Sequence, residues 1–404
     1  MNILIINDYA SVQGGAAQVA ITSAKALADS GHNVIYIFAT GNSDPLLNHP
    51  KIKLINFKQY DLLSNPNKLN SMINGIWNRS VKKQMNAILD SLDSKNTIIH
   101  IHSWVKALSP SILSALIKRE IPIVVTLHDY FTVCPNGGLF NYQEKTICHF
   151  TPMSMECLLS NCDKRSYVQK IWRFLRQFIY IKANIPKSLT HYIFVSQFSK
   201  QILQSYLPKD SNFYHVPNPI DIQKRDISNP EDSDLFSYIG RLSEEKGPLL
   251  FAEAAAKLQL PTQFIGTGEL QEEIQTIYED AKFTGWADRT EVIQYIQNSR
   301  AIVFPSLLYE TQGMVVAEAA ALGIPAIVAD TSAASEYVTD GETGLLFKSG
   351  NVESLMEKIN ILSQQPLLAK KMGINAYNTY WNDPDNIQKH LKKLIQCYQE
   401  ILTC

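Results

Sequence analysis

The stretch 301–330 constrains the fold more than any other part of the 404-residue chain, because it reads as a strand, a polar loop, a helix and a second strand. Residues 301–304 (AIVF) form a short apolar run that stops at a proline, as a buried parallel strand would. Gly313 then opens a run rich in Ala, Val and Met that ends at Gly323 with a proline close behind, which is typical of a helix end. Residues 326–329 predict the next strand, so the stretch indicates an α/β fold.

Two glutamates flank the predicted start of this helix. Glu310 lies in the loop, and Glu318 lies eight residues later, about a turn and a half into the helix. A helix N-terminus offers free N–H groups and positive potential, which suit a phosphate. Carboxylates repel phosphate but accept hydrogen bonds from vicinal hydroxyls, so the spacing favours one sugar on each side of a diphosphate. The alternative is a helix with an acidic first turn and one outward glutamate.

Length and composition limit the possible classes of protein. A chain of 404 residues exceeds one ordinary domain, so two domains are expected. The net charge of −1 gives no reason to expect nucleic-acid binding. The start lacks the pattern of a signal peptide, and no apolar run reaches about 18 residues, so the expected location is cytoplasmic.

The N-terminal part predicts another strand–helix–strand unit. A strand at 3–6 is followed by Gly14 and Gly15, a helix over 16–29 and a strand at 33–39. The G-x-G-x-x-G pattern is absent, which disfavours a dehydrogenase. The glycine pair would let the backbone approach a diphosphate or an acceptor closely. A turn that needs a positive φ is the alternative.

His128 is the best single candidate for function in this half. It follows a strand predicted at 123–127, and the carboxyl ends of parallel strands line the ligand crevice. Asp129 would orient the imidazole or contact an acceptor. A purely structural histidine is the alternative.

The second half opens with a strand at 235–239 that leads into Gly240-Arg241 and Lys246-Gly247. The planar fork of Arg241 and the point charge of Lys246 both suit phosphate oxygens. A solvated charged loop is the alternative from spacing alone.

Four cysteines cluster within 29 residues, at Cys134, Cys148, Cys157 and Cys162. As thiolates they could bind a structural zinc tetrahedrally, although no C-x2-C pair is present. Unligated thiols or a redox-labile pair are the alternative. We interpret 134–162 as an insertion near the acceptor rather than as part of the chemistry.

The segment 164–187 carries seven basic residues and no acidic ones. Its apolar residues recur at helical spacing, which predicts a basic, aromatic amphipathic helix suited to an anionic membrane surface. A core helix with a solvated basic face is the alternative.

Glu310 and Glu318 resemble the E-x7-E pattern of the retaining glycosyltransferases of family 4, which have the GT-B fold. Arg241 and Lys246 precede them in the order that this family shows. This resemblance implies an α/β protein with two Rossmann-like domains that face each other across a cleft. The expected divisions are an acceptor domain at 1–218, a linker at 219–234, a donor domain at 235–375, and a C-terminal helix at 376–404 that returns to the first domain.

The resemblance also implies a role for individual residues. Those expected to take part in the transfer are His128, Arg241, Lys246 and Glu310. Those expected to bind the donor are Gly14, Gly15, Arg241, Lys246, Gly266, Phe283, Thr284, Glu310, Gly313, Met314 and Glu318. The chain departs from the family pattern where Gln312 replaces the usual Phe after the first glutamate and where Ala17-Gln18 replaces the usual acidic residue.

The implied function is transfer of a sugar, with retention, from a nucleotide diphosphate sugar to a glycan or lipid-linked acceptor in cell-surface polysaccharide synthesis, such as lipopolysaccharide or capsule. It implies no catalytic cofactor, no nucleic-acid partner and a peripheral contact with the inner membrane. The alternatives are a nucleotide-sugar epimerase of the same fold and a non-catalytic sugar-nucleotide-binding protein. A glycogen-type phosphorylase would need a pyridoxal-binding lysine, which the sequence does not place.

Overall fold

A computed structural model describes residues 1–94 and 96–403 of the protein. These residues divide into two compact units. Unit 1 contains residues 1–138, 150–219 and 387–403, and unit 2 contains residues 139–149 and 220–386. Each unit is built around one parallel β-sheet with helices connecting its strands.

The sheet of unit 1 has seven parallel strands in the order β3-β2-β1-β4-β5-β8-β9. Its inner strands are apolar and buried, as expected for a parallel sheet covered on both faces. The strands are β1 (Asn2–Ile6), β2 (Asn33–Phe38), β3 (Ile52–Asn56), β4 (Thr97–Ile101), β5 (Ile123–Leu127), β8 (His191–Phe194) and β9 (Asn212–His215), while the short hairpin β6 (Phe140–Asn141) and β7 (Thr146–Ile147) belongs to unit 2.

The helices of unit 1 include α14 from the far end of the chain. They are α1 (Gly15–Asp29), α2 (Lys68–Ile76), α3 (Arg79–Asp90), α4 (Ser111–Leu116), α5 (Met155–Leu159), α6 (Tyr167–Lys182), α7 (Gln197–Leu203) and α14 (Ile387–Thr403). Helix α6 lies within the predicted basic segment 164–187. In the part of the chain that the structure describes, no helix combines the length and the apolar character that crossing a membrane requires.

The sheet of unit 2 has six parallel strands in the order β12-β11-β10-β13-β14-β15. Its strands are β10 (Phe236–Ile239), β11 (Thr262–Ile265), β12 (Lys282–Gly285), β13 (Ala301–Phe304), β14 (Ala326–Ala329) and β15 (Gly344–Phe347). Its helices are α8 (Pro248–Leu258), α9 (Gln271–Ile277), α10 (Arg289–Gln297), α11 (Met314–Leu322), α12 (Val352–Gln364) and α13 (Pro366–Asn382). The strand–loop–helix–strand pattern predicted at 301–330 corresponds to β13, α11 and β14.

Each sheet has one point where the strand order reverses. In unit 1 this point lies between β1 and β4, and in unit 2 it lies between β10 and β13. Ligands of open α/β sheets bind at the carboxyl ends of the strands beside such a point. The residues that follow β1, β4, β10 and β13 are therefore the ones to inspect for function.

The unit boundaries differ from the predicted divisions at three places. Residues 139–149, predicted inside the first domain, belong to unit 2. Residues 219–234 were predicted as a linker, but Ile220 and Ile222 are buried in the core of unit 2, so the chain joins this unit from residue 220. The predicted C-terminal segment 376–404 splits, because Ala376 and Tyr380 on α13 are buried in the same core. The part that belongs to unit 1 starts only at residue 387.

Helix α14 is joined to unit 1 by buried polar contacts as well as by apolar packing. The hydroxyl of Tyr398 lies 2.6 Å from Nδ1 of His100 on β4. His390 lies 2.8 Å from the carbonyl oxygen of Pro217 through Nδ1 and 2.8 Å from the Ser23 hydroxyl through Nε2. Because a carbonyl oxygen only accepts, His390 donates through Nδ1 to Pro217. Each of these buried groups thus has a partner on unit 1.

Removing the Tyr398 ring is expected to destabilise unit 1 strongly. Tyr398→Ala empties a buried aromatic site and should lower the free energy of unfolding by about 3–5 kcal/mol. Tyr398→Phe removes only the hydrogen bond to His100 and should cost about 1 kcal/mol. Urea unfolding followed by circular dichroism measures both. Tyr206→Phe, on an exposed ring of the same unit, is the control, and an equal loss in all three variants would contradict the role given to α14.

Candidate functional site

Two residues that follow the central strands of unit 2 form a partly buried ion pair. Lys246 lies at the end of a 3-10 turn after β10, and Glu310 lies in the loop between β13 and α11. Nζ of Lys246 is 2.7 Å from Oε1 of Glu310, and the hydroxyl of Ser306 donates to the same oxygen at 2.7 Å. The Glu310 carboxylate is buried and fixed through one oxygen. Its Oε2 accepts neither bond, and the ammonium keeps two further protons to donate.

The second glutamate is also paired, with an arginine that sequence reasoning missed. Glu318 is buried on α11, and its Oε1 accepts from Nη1 of Arg289 at the start of α10. The other terminal nitrogen of Arg289 donates to the carbonyl oxygen of Asp221 at 2.9 Å. Burial raises the pKa of Glu318, and the neighbouring guanidinium opposes this rise. The pair therefore holds a hydrogen-bond acceptor in a fixed place inside unit 2.

The backbone around Arg241 is held in position by two neighbours. The buried hydroxyl of Tyr238 donates to the Arg241 carbonyl at 2.7 Å, while the Arg241 side chain is exposed. Gly266, at the end of the adjacent strand β11, has φ of 135°, and a Cβ there would lie 2.0 Å from the carbonyl oxygen of Gly240. Only glycine fits this position. The loop that carries Arg241 is thus set by close backbone packing.

Phe283 and Thr284 lie at the end of β12, on the far side of Gly266. The Gly266 amide donates to the carbonyl of Gly285 at 2.9 Å, which brings the ends of β11 and β12 together. Phe283 stacks on Phe264 with the ring centroids 5.5 Å apart. Both predicted residues are half-buried. They lie at the same end of the sheet as Arg241. Strands β11 and β10 separate β12 from β13, the strand that precedes Glu310.

The start of α11 is fixed by tight packing. Gly313 is its N-cap residue, and a Cβ there would lie 2.2 Å from Cβ of Ala334, so a larger residue would push the helix start away. Met314 is the first helical residue and is half-buried. Gln312, which replaces the usual Phe, donates to the hydroxyl of Tyr337 at 2.7 Å. This departure from the family pattern thus adds a hydrogen bond between Gln312 and Tyr337 beside the start of α11.

In unit 1 the predicted residues lie at the carboxyl ends of β1 and β5. Gly14, the N-cap of α1, has φ of 142°, and a Cβ there would meet open space. Gly15 is exposed beside it. His128 follows β5, and its Nε2 lies 2.9 Å from Nδ1 of His102, which follows β4 at the reversal point. The two rings are stacked with their centroids 5.1 Å apart.

Burial keeps these imidazoles neutral. It lowers the pKa of His128 to about 3, with a smaller contribution from His390. Burial also lowers the pKa of His102 well below the usual value. Asp129, whose Oδ1 accepts from the Phe131 amide at 3.0 Å, has its pKa raised by burial to about 6. His128 is therefore suited to exchanging neutral hydrogen bonds.

Two functional candidates, His102 and Arg289, were missed from the sequence. His102 ends β4 just as His128 ends β5, so the same strand-end argument would have found it. Arg289 gave no such signal, because it lies 29 positions before its carboxylate partner Glu318. Only the folded chain shows that pairing.

The four cysteines do not form a group that could hold a metal ion in the part of the chain that the structure describes. Cys157 and Cys162 are buried, and Nζ of the buried Lys170 lies 3.5 Å from the first sulfur and 3.1 Å from the second. Within residues 1–94 and 96–403, no three His, Cys, Asp or Glu side chains are grouped so that they could hold a metal ion. An ammonium thus occupies the position beside two of the sulfurs, which does not match a tetrahedral site of Cys134, Cys148, Cys157 and Cys162.

Two protein-family models match the chain. The model of Glycosyltransferase Family 4 matches residues 13–224, and the model of Glycosyl transferases group 1 matches residues 219–379. Together they cover most of both units.

Individual relatives match shorter parts. The sulfoquinovosyl transferase SQD2 of Arabidopsis thaliana is 32% identical over 143 residues, which are 34% of this chain and 28% of that protein. The UDP-Gal:alpha-D-GlcNAc-diphosphoundecaprenol alpha-1,3-galactosyltransferase of Escherichia coli is 24% identical over 266 residues, which are 59% of this chain and 66% of that protein. The chain thus spans less than two thirds of the length of each.

The similarity to a solved structure extends over the whole chain. The sucrose-phosphate synthase of Thermosynechococcus elongatus superposes with a TM-score of 0.73 at 18% identity, over 100% of this chain and 99% of that one. At this identity the match shows the fold, and the predicted GT-B fold is confirmed. Because the Family 4 model matches residues 13–224, more than half of the 404 residues, the protein belongs to glycosyltransferase family 4.

Proposed function

We propose that the protein is a retaining glycosyltransferase that moves a sugar from a nucleotide diphosphate sugar to an acceptor hydroxyl in the synthesis of a cell-surface polysaccharide. The observation that carries the proposal is the Glu310 carboxylate, which is buried and fixed by Lys246 and Ser306 three residues before the N-cap of α11. These two contacts hold the carboxylate in one orientation. Its remaining oxygen is available to hydroxyls of a bound sugar.

The proposed donor site uses the charges at the strand reversal of unit 2. Arg241 and Lys246 supply cationic donors for the diphosphate, and the free N–H groups at Gly313 and Met314 add the positive end of α11. Glu318, held by Arg289, accepts from the ribose hydroxyls. The backbone at Gly266, Phe283 and Thr284 reads the edge of the base (the ends of β11 and β12 lie together).

The proposed reaction breaks the bond between the anomeric carbon and the diphosphate oxygen. Negative charge then develops on the diphosphate. Arg241, Lys246 and the start of α11 would stabilise this charge and so lower the barrier to transfer. The acceptor oxygen bonds to the anomeric carbon on the same face, and its proton passes to the departing phosphate oxygen. This chemistry needs no metal or organic cofactor. The resemblance assigns Gly14 and Gly15 to the diphosphate and His128 to the donor sugar.

The proposed acceptor is a glycan or a lipid-linked oligosaccharide, reached from the cytoplasmic side through peripheral contact with the membrane. The relative from Escherichia coli is named for a diphosphoundecaprenol acceptor and a UDP-sugar donor. On α6, Val168, Leu175 and Phe178 expose 74%, 46% and 46% of their surface, and the basic Lys182 is exposed on the same helix. Exposed apolar side chains on a basic helix fit an anionic lipid surface.

Breaking the Lys246–Glu310 pair is expected to abolish transfer while the fold persists. Glu310→Gln and Lys246→Ala should each lower kcat by about 10²-fold or more, because each removes a group that acts on the departing donor. The double variant should lose less than the product of the single losses, since the two groups act together. Release of nucleoside diphosphate measures the rate, and thermal unfolding checks the fold.

The pair Glu357–Lys358, 3.0 Å apart on α12 of the same unit with an exposed carboxylate, is the matched control. Glu357→Gln and Lys358→Ala should leave kcat unchanged. Wild-type turnover in Glu310→Gln or in Lys246→Ala would contradict the site.

Glu318 is expected to be required for donor binding. A ligand that binds only the folded state at about 100 times its Kd stabilises it by about 2.7 kcal/mol, so one nucleotide in a panel of UDP-, GDP-, ADP- and TDP-sugars should raise the melting temperature. Glu318→Ala and Glu318→Gln should lose that shift, because neither retains a carboxylate for the ribose hydroxyls. Glu279→Ala, on an exposed residue of unit 2, should keep it. A full shift in both Glu318 variants would contradict the assignment.

His128 is expected to act without changing its charge. Its pKa is lowered to about 3 by burial, so the ring is neutral at every assay pH above about 5. His128→Asn should therefore lower kcat/KM by a similar factor at every pH between about 5 and 9. A limb near pH 6.5 that is present in the wild type and absent in His128→Asn would show instead that the imidazole titrates during the reaction.

A further inference from the structure

Unit 1 contains a cavity of about 970 Å³ that none of the donor contacts uses. It is lined by residues after β1, β2, β4 and β5, by the loop 61–64 and by α2. Residues between 165 and 176, before and along α6, complete the lining. We call it the α2–α6 pocket. Its volume is that of a site for a small organic ligand.

The lining of this pocket is strongly basic. It contains five basic side chains and one acidic side chain, Asp61, which accepts from the Tyr9 hydroxyl. The basic residues are Lys68, Lys106, Arg165, Arg173 and Arg176. Such a surplus of positive charge in a concave site attracts an anion.

Arg176 is the residue that most clearly lacks a partner there. It is 5% exposed, and its hydrogen bond is a long one of 3.4 Å to the carbonyl oxygen of Pro135. Among the described residues no carboxylate lies within ion-pair distance of it, whereas Arg173 pairs with Asp163 at 3.0 Å. Burial and the charge of Arg173 lower the pKa of Arg176 to about 9. A buried charge in this position is stabilised by an anion.

Two aromatic rings hold this guanidinium in place. Its central carbon lies 5.4 Å from the ring centroid of Phe131 and 5.2 Å from that of Trp172. The Trp172 indole in turn donates to the carbonyl of Met72 on α2 at 3.1 Å. The planar fork of Arg176 is therefore preorganised, as bidentate recognition of a phosphate requires.

Part of the pocket lining is apolar and is exposed at the surface. Leu63, Met72 and Val168 line the pocket and expose 61%, 49% and 74% of their surface. Beyond them Leu69, Ile73, Ile171 and Leu175 are also exposed, by 67%, 55%, 38% and 46%. A run of exposed apolar side chains on two packed helices marks a place where apolar material binds.

We propose that the α2–α6 pocket binds the acceptor as a lipid diphosphate, with its anionic group on Arg176 and its hydrocarbon chain along α2 and α6. This inference rests on the proposed function, because it names the class of acceptor for that transfer. Asp129 and Asp8 act on the buried guanidinium of Arg176 only at a distance, and a soluble neutral glycan would add no charge that pairs with it. A free phosphate would leave the apolar part of the lining uncovered. An amphipathic diphosphate satisfies both.

The test measures binding of three probes to the full chain by calorimetry. Farnesyl diphosphate carries both features, inorganic diphosphate carries the head alone, and farnesol carries the chain alone. Farnesyl diphosphate should bind at least tenfold more tightly than either other probe. Arg176→Gln should weaken its binding by about tenfold or more, since a hydrogen-bonded charge is lost.

Val168→Asp should fold like the wild type, because the Val168 side chain is exposed. It should weaken binding of farnesyl diphosphate and leave binding of inorganic diphosphate unchanged. Leu367→Asp, at a residue of unit 2 that is 75% exposed, is the matched control and should change neither. Equal binding of farnesol and farnesyl diphosphate would indicate a general lipid surface and overturn the inference. Equal binding of inorganic and farnesyl diphosphate would indicate a free-anion site and also overturn it.

The outcome is separable from that of the proposed function. Glu310→Gln should bind farnesyl diphosphate like the wild type. If a nucleotide sugar stabilises the protein but farnesyl diphosphate does not bind, the acceptor inference fails and the donor site stands. If farnesyl diphosphate binds and no nucleotide sugar does, the transferase proposal fails and the pocket stands.

Discussion

The pairing of buried carboxylates with cations at the strand reversal of unit 2 is the interaction on which this account depends. Glu310 and Glu318 are both buried, and an unpaired charge in such a place is costly. Lys246 and Arg289 offset that cost, each through one oxygen of its partner. The second oxygen of each carboxylate remains available to a hydroxyl. The same pairs that offset this cost also hold both carboxylates in fixed places, as the proposed sugar-nucleotide site requires.

Parallel sheets explain why these groups meet. Every strand of unit 2 has the same direction, so all carboxyl ends lie at one edge, and the reversal of strand order between β10 and β13 places Arg241, Lys246 and Glu310 side by side. Unit 1 repeats this arrangement with other chemistry. There β1 leads to Gly14, and β4 and β5 lead to two neutral, stacked imidazoles. Unit 2 therefore has charged side chains at its strand reversal, whereas unit 1 has neutral imidazoles there. Unit 1 also contains the basic α2–α6 pocket.

Much of this could be predicted from local patterns. The strand–loop–helix–strand unit at 301–330 was correct because apolar runs, a helix-ending glycine and prolines are local signals. The strand ends before His128 and Arg241 were also predicted, and the structure places these residues just after β5 and β10. Long-range facts were out of reach. The pairing of Arg289 with Glu318, the buried ammonium of Lys170 beside two cysteines and the boundary at residue 387 depend on which surfaces pack together, and spacing along the chain does not contain that information.

The most direct test of the central claim is whether release of nucleoside diphosphate depends on an acceptor. The purified protein is incubated with the donor that binds it, with and without a lipid-linked acceptor, and both products are identified by NMR. The account predicts that nucleoside diphosphate and a glycosylated acceptor form together, and that the new bond has the anomeric configuration of the donor. A changed sugar formed from the donor alone would indicate an epimerase, and donor binding without any turnover would indicate a binding protein. Either result would contradict the account.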